Sequence, residues 1–120
     1  MDKKIMVVDD AAFMRMTIKN TLTKAGYTNI IEASDGQIAS DMYLQEKPEL
    51  VIMDITMPNM DGIKALQTIK LADPHAKVVM CSAMGQESMV VDAIRLGALD
   101  FIVKPFKPER VIETVGKILA

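Results

Sequence analysis

Short apolar runs alternate with amphipathic stretches along this chain, five times over. Residues 4–8 (Lys-Ile-Met-Val-Val) predict a buried strand, stopped by Asp9 and Asp10. Met14, Ile18 and Leu22 then recur at helical spacing as far as Gly26, a residue that readily ends a helix. Ile30, Ile31 and Ala33 make a weaker strand before the turn at Asp35-Gly36. A helix over 37–46 follows, with Ile38 and Met42 on one face and Pro48 beyond its end.

Leu50-Val51-Ile52-Met53 is a strongly apolar strand ending in Asp54. Pro58 and Asp61-Gly62 mark a loop, and Ile63, Leu66 and Ile69 give the next helix its buried stripe. Lys77 to Cys81 reads as a fourth strand ending at Ser82, and Gly85 precedes a helix of 87–96 closed by Gly97. Phe101-Ile102-Val103 is the fifth strand, ending in Lys104-Pro105. The last helix opens at Pro108, where a missing backbone N–H costs nothing, and runs nearly to the end. Strands that are apolar throughout, separated by amphipathic helices, predict an α/β domain whose parallel sheet is covered on both faces. The pattern leaves strand order open. No linker, low-complexity segment or repeat beyond the βα alternation interrupts it, so one domain is expected over 1–120.

Composition narrows the function. At 120 residues, half of them hydrophobic and a quarter charged, the chain reads as one globular domain with a sizeable core. A formal charge of −2, a pI near 5.3 and no run of five Lys or Arg argue against a nucleic-acid surface. No apolar stretch reaches the roughly 18 residues of a membrane span, and the N-terminal run is too short for a signal-peptide core. The single cysteine, Cys81, has no internal disulfide partner, which suits a reducing compartment; a cytoplasmic protein with no membrane association is expected. The 11 methionines read as core fillers, Cys81 as a buried small hydrophobe and His75 as a surface loop residue.

The chemistry gathers at strand ends: Asp9 and Asp10 after the first, Asp54 after the third, Ser82 after the fourth and Lys104 after the fifth. In an open parallel sheet these positions share the carboxyl edge, where ligand sites form. Taken singly, an Asp or Ser at a strand end is often a helix cap, and a lysine is usually solvated. Three clustered carboxylates repel one another, and a divalent cation relieves that repulsion. Oxygen donors without His or Cys nearby in sequence point to Mg²⁺ or Mn²⁺ rather than zinc. A carboxylate can also act as a nucleophile toward phosphorus, with a cation, the Lys104 ammonium and the Ser82 hydroxyl neutralising the phosphoryl oxygens.

Several segments match response-regulator receiver domains in order. They are Val7-Val8-Asp9-Asp10, Val51 through Pro58 with Asp61-Gly62, Cys81-Ser82-Ala83, and Gly97-Ala98 through Phe101-Ile102-Val103-Lys104-Pro105-Phe106. The resemblance covers essentially the whole chain. The Ala11 to Arg15 and Ser82 to Gln86 stretches look most like single-domain chemotaxis members of that family.

The resemblance implies a flavodoxin-like (βα)5 doubly wound sandwich with strand order 2-1-3-4-5. It implies that Asp54 takes phosphate from a histidine kinase, with Mg²⁺ held by Asp9, Asp10, Asp54 and the backbone carbonyl of Thr56. Ser82 becomes the switch hydroxyl, Lys104 the phosphate contact, and Lys104–Pro105 a cis bond. Val90, Phe101 and Val103 lie near an output face made by the fourth helix, fifth strand and fifth helix; their competing reading is ordinary core, most of all for Val103. The expected partners are the kinase, a flagellar motor switch protein and a phosphatase, met by a monomer. Thr56 stands where relatives often carry Asn or Glu, and Met84 lies two residues after Ser82; neither is a water-orienting acid or amide. Phe101 replaces a tyrosine found in some chemotaxis members, removing a phenol hydrogen bond.

Other readings remain. A phosphorelay intermediate would share the fold and site. A Mg²⁺-dependent phosphohydrolase with an aspartate nucleophile usually has a second Asp two residues on, where this chain has Thr56. A flavin carrier would need a Ser/Thr/Gly-rich phosphate loop after the first strand, where this chain has two acids. A signalling module, rather than a metabolic enzyme, is the expectation.

Overall fold

The computed structural model describes residues 3–83 and 86–120. Among these residues, five strands and five helices alternate strictly. They are β1 (Ile5–Val8), α1 (Ala12–Lys24), β2 (Ile30–Ala33), α2 (Gly36–Glu46), β3 (Leu50–Asp54), α3 (Gly62–Ala72), β4 (Val78–Ala83), α4 (Glu87–Arg95), β5 (Asp100–Lys104) and α5 (Pro108–Leu119). All strand pairs are parallel and the order is β2-β1-β3-β4-β5, the order that the receiver resemblance implies.

Alternation along the central strands feeds two cores. Ile5, Val7, Leu50, Ile52, Val79, Cys81 and Ile102 pack with Ile18 and Leu22 of α1 and with Val111, Val115 and Leu119 of α5. Met6, Val8, Val51, Met53, Val78 and Met80 face the other way, onto Ala39 and Tyr43 of α2, Leu66 and Ile69 of α3, and Val90 and Ala93 of α4. Burying each of the larger aliphatic side chains contributes about 1.5–3 kcal/mol. That supply lets the fold carry a crowded acidic cluster at one edge.

Three sequence expectations shift. β2 and β5, the edge strands, are not apolar and buried throughout: in β5 only Ile102 is fully buried. The buried face of α2 is Gly36, Ala39, Ser40 and Tyr43, whereas Ile38 is exposed and Met42 half-buried. Tyr43 outcompetes Ile38 because its ring fills the joint with α3 while its hydroxyl donates to Asp73 Oδ2 at 2.7 Å. β4 continues past Cys81 to Ala83, because Ser82 and Ala83 stay in register with Val103 and Lys104 of β5.

Val103 is also not core. It is 41% exposed, as an outward residue of an edge strand that one helix covers only in part. Phe101 is 36% exposed, and Val90 is buried.

Candidate functional site

The order of the sheet reverses at β1, whose neighbours are β2 on one side and β3 on the other. Crevices at the carboxyl ends of strands around such a reversal are where open α/β sheets bind ligands. Asp9 and Asp10 follow β1 directly and Asp54 closes β3, so both arrive at this crevice. One carboxylate oxygen from each of the three lies within 4.8 Å of the others. Asp9 and Asp54 are buried and Asp10 is exposed.

Lys104 reaches in from the end of β5. Its Nζ lies 2.8 Å from Asp9 Oδ2 and 3.3 Å from Asp54 Oδ2, bridging residues 95 apart in sequence in the first case. Lys104 is followed by a cis peptide bond to Pro105, as expected. Asp9 has a second tie: its Oδ1 accepts from the Ala11 N–H at 2.9 Å, an Asx-type turn at the start of α1. This bond shapes the turn ahead of α1 rather than capping the helix, whose N-cap, Ala11, has no side-chain cap, so Asp9 is not the helix cap its position at a strand end allowed.

Electrostatics follow from this packing. Burial pushes the Asp54 carboxyl above its ordinary range; Lys104 pulls it back and Asp9 adds to the rise. For Lys104, burial alone would depress the ammonium, but the Asp9 hydrogen bond and the Asp54 and Asp9 charges outweigh it, and its pKa is raised. The two shifts agree physically, since Lys104 has two anions to share and Asp54 one cation. Cys81 lies beside Asp54 in the β3–β4 register, yet burial pushes its thiol up to about 12, so it offers no thiolate.

The donor set fits a hard cation. It consists of oxygen ligands, two of them buried, with a third at the solvent edge to admit waters, which suits Mg²⁺ rather than zinc.

Ser82 belongs to a different wall. It lines a groove of about 750 Å³ between α4 and β5, together with Val90, Val91, Ile94, Phe101 and Val103. Ser82 stands beside Val103, and Met80 beside Phe101, in the β4–β5 register. Ser82, the expected switch residue, is thus contiguous with the apolar groove. Met84 lies outside the described residues.

Four features escaped sequence reading. Arg15 donates to the Asp9 carbonyl at 2.6 Å and pairs with Glu32 at 3.1 Å, pinning the turn that carries both acids. Asp35 caps α2 through the Ile38 N–H and accepts from Asn59 Nδ2 at 2.9 Å, and the Gly36 N–H donates to the Met60 carbonyl; together these anchor the loop after Asp54. Gly62 lets α3 begin hard against the end of β3. Gln86 Nε2 donates to the Thr56 hydroxyl at 2.7 Å, so an amide reaches the Thr56 position from another loop. Asp35-Gly36 and Asp61-Gly62 each left a signal in the sequence, as turns; their partners, and the Arg15 and Gln86 contacts, need the tertiary arrangement.

Comparison with known proteins agrees with this geometry. A family model described as the response regulator receiver domain matches residues 5–116. The chain is 56% identical over 119 residues to the chemotaxis protein CheY of Bacillus subtilis, covering 99% of both. It is 54% identical over 118 residues to CheY of Thermotoga maritima, covering 98% of both. It also superposes on a chain of the CheX–CheY–BeF3–Mg²⁺ complex of Borrelia burgdorferi with a TM-score of 0.92 and 36% identity, covering 98% of this chain and 90% of that one. Site, topology and sequence converge: the chain belongs to the response-regulator receiver family, among the CheY-like response regulators.

Proposed function

We propose that Asp54 is the phosphoacceptor of a chemotaxis switch, charged by a histidine kinase. The observation that carries this reading is the Asp54 carboxylate placed 3.3 Å from the Lys104 ammonium and within 4.8 Å of the Asp9 and Asp10 oxygens. Asp9, Asp10, Asp54 and the Thr56 carbonyl would hold Mg²⁺. When bound, Mg²⁺ supplies positive charge to the phosphoryl oxygens.

The transfer itself needs little more than placement. An Asp54 carboxylate oxygen bonds to phosphorus as the P–N bond to the donor imidazole breaks. The electron pair stays on that nitrogen, which then binds a proton. Lys104 partly offsets the burial that raises the Asp54 carboxyl and is positioned to meet a phosphoryl oxygen. In this way the chain assists its own phosphorylation, while remaining a signalling module.

The new anion then draws the Ser82 hydroxyl out of the α4–β5 groove toward Asp54. The groove wall that Val90, Phe101 and Val103 share with Ser82 changes shape, and a flagellar motor switch protein reads it. The high identity to proteins named for chemotaxis supports this output over a phosphorelay role. The Borrelia complex supports a second partner of the CheX kind, in the place of the expected phosphatase.

The test is phosphate uptake from acetyl phosphate, with and without Mg²⁺, read by intact mass beside Asp54→Ala. A Mg²⁺-dependent adduct in the wild type that is missing in the variant supports the reading. No adduct, or one that persists without Asp54, refutes it.

A further inference from the structure

Two loops frame Asp54: the β3–α3 loop carrying Thr56, and the β4–α4 connection that follows Ser82 and Ala83. One side chain fastens them together. The Gln86 carboxamide accepts from the Ala83 backbone N–H through Oε1 at 2.6 Å and donates to Thr56 Oγ1 through Nε2 at 2.7 Å. It thereby grips the residue directly after the switch hydroxyl and the residue two after the phosphoacceptor. Capping does not account for it, because Gln86 stands at the N-cap of α4 yet makes no side-chain cap hydrogen bond.

We propose that Gln86 is a positioning residue whose amide clasps the two loops and so opposes the movement of Ser82 toward a phosphorylated Asp54. This rests on the reading of Asp54 as phosphoacceptor and Ser82 as switch hydroxyl. Ser82 lines the α4–β5 groove, and the proposed switch carries its hydroxyl from that wall toward the phosphoryl group. Ala83 is covalently tied to Ser82, so its N–H moves too, while Thr56 stays with a loop anchored by Asn59 to Asp35 and by Met60 to Gly36. The two ends of the clasp must separate, and its hydrogen bonds are lost or rebuilt. Gln86 therefore tunes how readily the phosphoryl group is accommodated, a task the Thr56 side chain alone could not perform.

The test compares wild type, Gln86→Ala, Thr56→Val and the double variant. Affinity for beryllofluoride at saturating Mg²⁺ is read by ¹⁹F NMR, and affinity for Mg²⁺ alone by calorimetry. Gln86→Ala is expected to bind beryllofluoride about three- to tenfold more tightly, the range for losing the net equivalent of one neutral hydrogen bond that restrains the competing arrangement. Thr56→Val should give a smaller gain, and the double variant no more than Gln86→Ala, since both break the same clasp. Mg²⁺ affinity should stay within twofold of wild type in Gln86→Ala. Unchanged or weaker beryllofluoride binding, additive gains, or a parallel change in Mg²⁺ affinity would overturn the clasp. If the wild type shows no Mg²⁺-dependent phosphate at Asp54, the phosphoacceptor reading falls first and the clasp with it.

Discussion

The closest approach in the site is made by a residue with no side chain. A Cβ added to Gly62 would sit 2.1 Å from the Asp54 carbonyl oxygen, 2.8 Å from Ile55 Cα and 2.9 Å from Met80 Cε. The methionine tip can turn away; the two backbone atoms cannot. Reaching even a tight contact near 3.0 Å means moving α3 or the end of β3 by 0.9 Å, the difference between those distances. Overpacking of this kind typically costs about 1–3 kcal/mol. For a domain of this size that lowers the thermal midpoint by about 4 °C for each kcal/mol.

Gly116 is the control, because it lies inside α5 with nothing within 4 Å of its added Cβ. There the same substitution should stabilise by about 0.5–1 kcal/mol through backbone entropy. Thermal unfolding by circular dichroism should therefore move in opposite directions for Gly62→Ala and Gly116→Ala. Displacement at Asp54 should also slow phosphate uptake in Gly62→Ala by up to about a hundredfold, the penalty for misplacing a reacting group by 1 Å. Gly116→Ala should leave uptake unchanged. A Gly62→Ala protein as stable as wild type, or one destabilised yet phosphorylated at the normal rate, would refute the claim that this contact sets the site.

Two further outcomes follow from the titrating groups. The Ile38 N–H, and then the Asn59 amide, hold the Asp35 carboxyl below its ordinary range, so the stability it contributes is present above the unfolded carboxylate pKa and lost as pH falls through the folded one. Asp35→Ala should accordingly cost about 0.5–2 kcal/mol in urea unfolding at pH 7, and the gap to wild type should close in acid; a gap independent of pH would show that the loss is packing alone. Cys81, buried with its thiol pushed up to about 12, should resist a thiol reagent at pH 8 in the native protein and react fully in denaturant. Fast native labelling would mean that the sheet opens between β3 and β4.

Much of this architecture is local in origin. Apolar runs of strand length, bounded by Asp, Gly and Pro and spaced by helical periods, suffice to mark all five βα units. Because parallel strands share a direction, the polar residue at each strand's end had to reach one edge, which is why Asp9, Asp10, Asp54 and Lys104 were legible as a group before any distance was known. Packing decided the rest. The β2-β1-β3 reversal, which makes a crevice between Asp9 and Asp54, follows from how the helices distribute over two faces. The choice of Tyr43 over Ile38 at the α2–α3 joint, and the turning outward of Val103 on an edge strand, depend on what lies opposite each residue rather than on its own period. Gln86 meets Thr56 across 30 residues, through a side chain whose polarity alone predicts only a solvated surface. Periodicity records which way a residue faces relative to its neighbours in sequence; the partner it meets is settled only when separate elements close on one another.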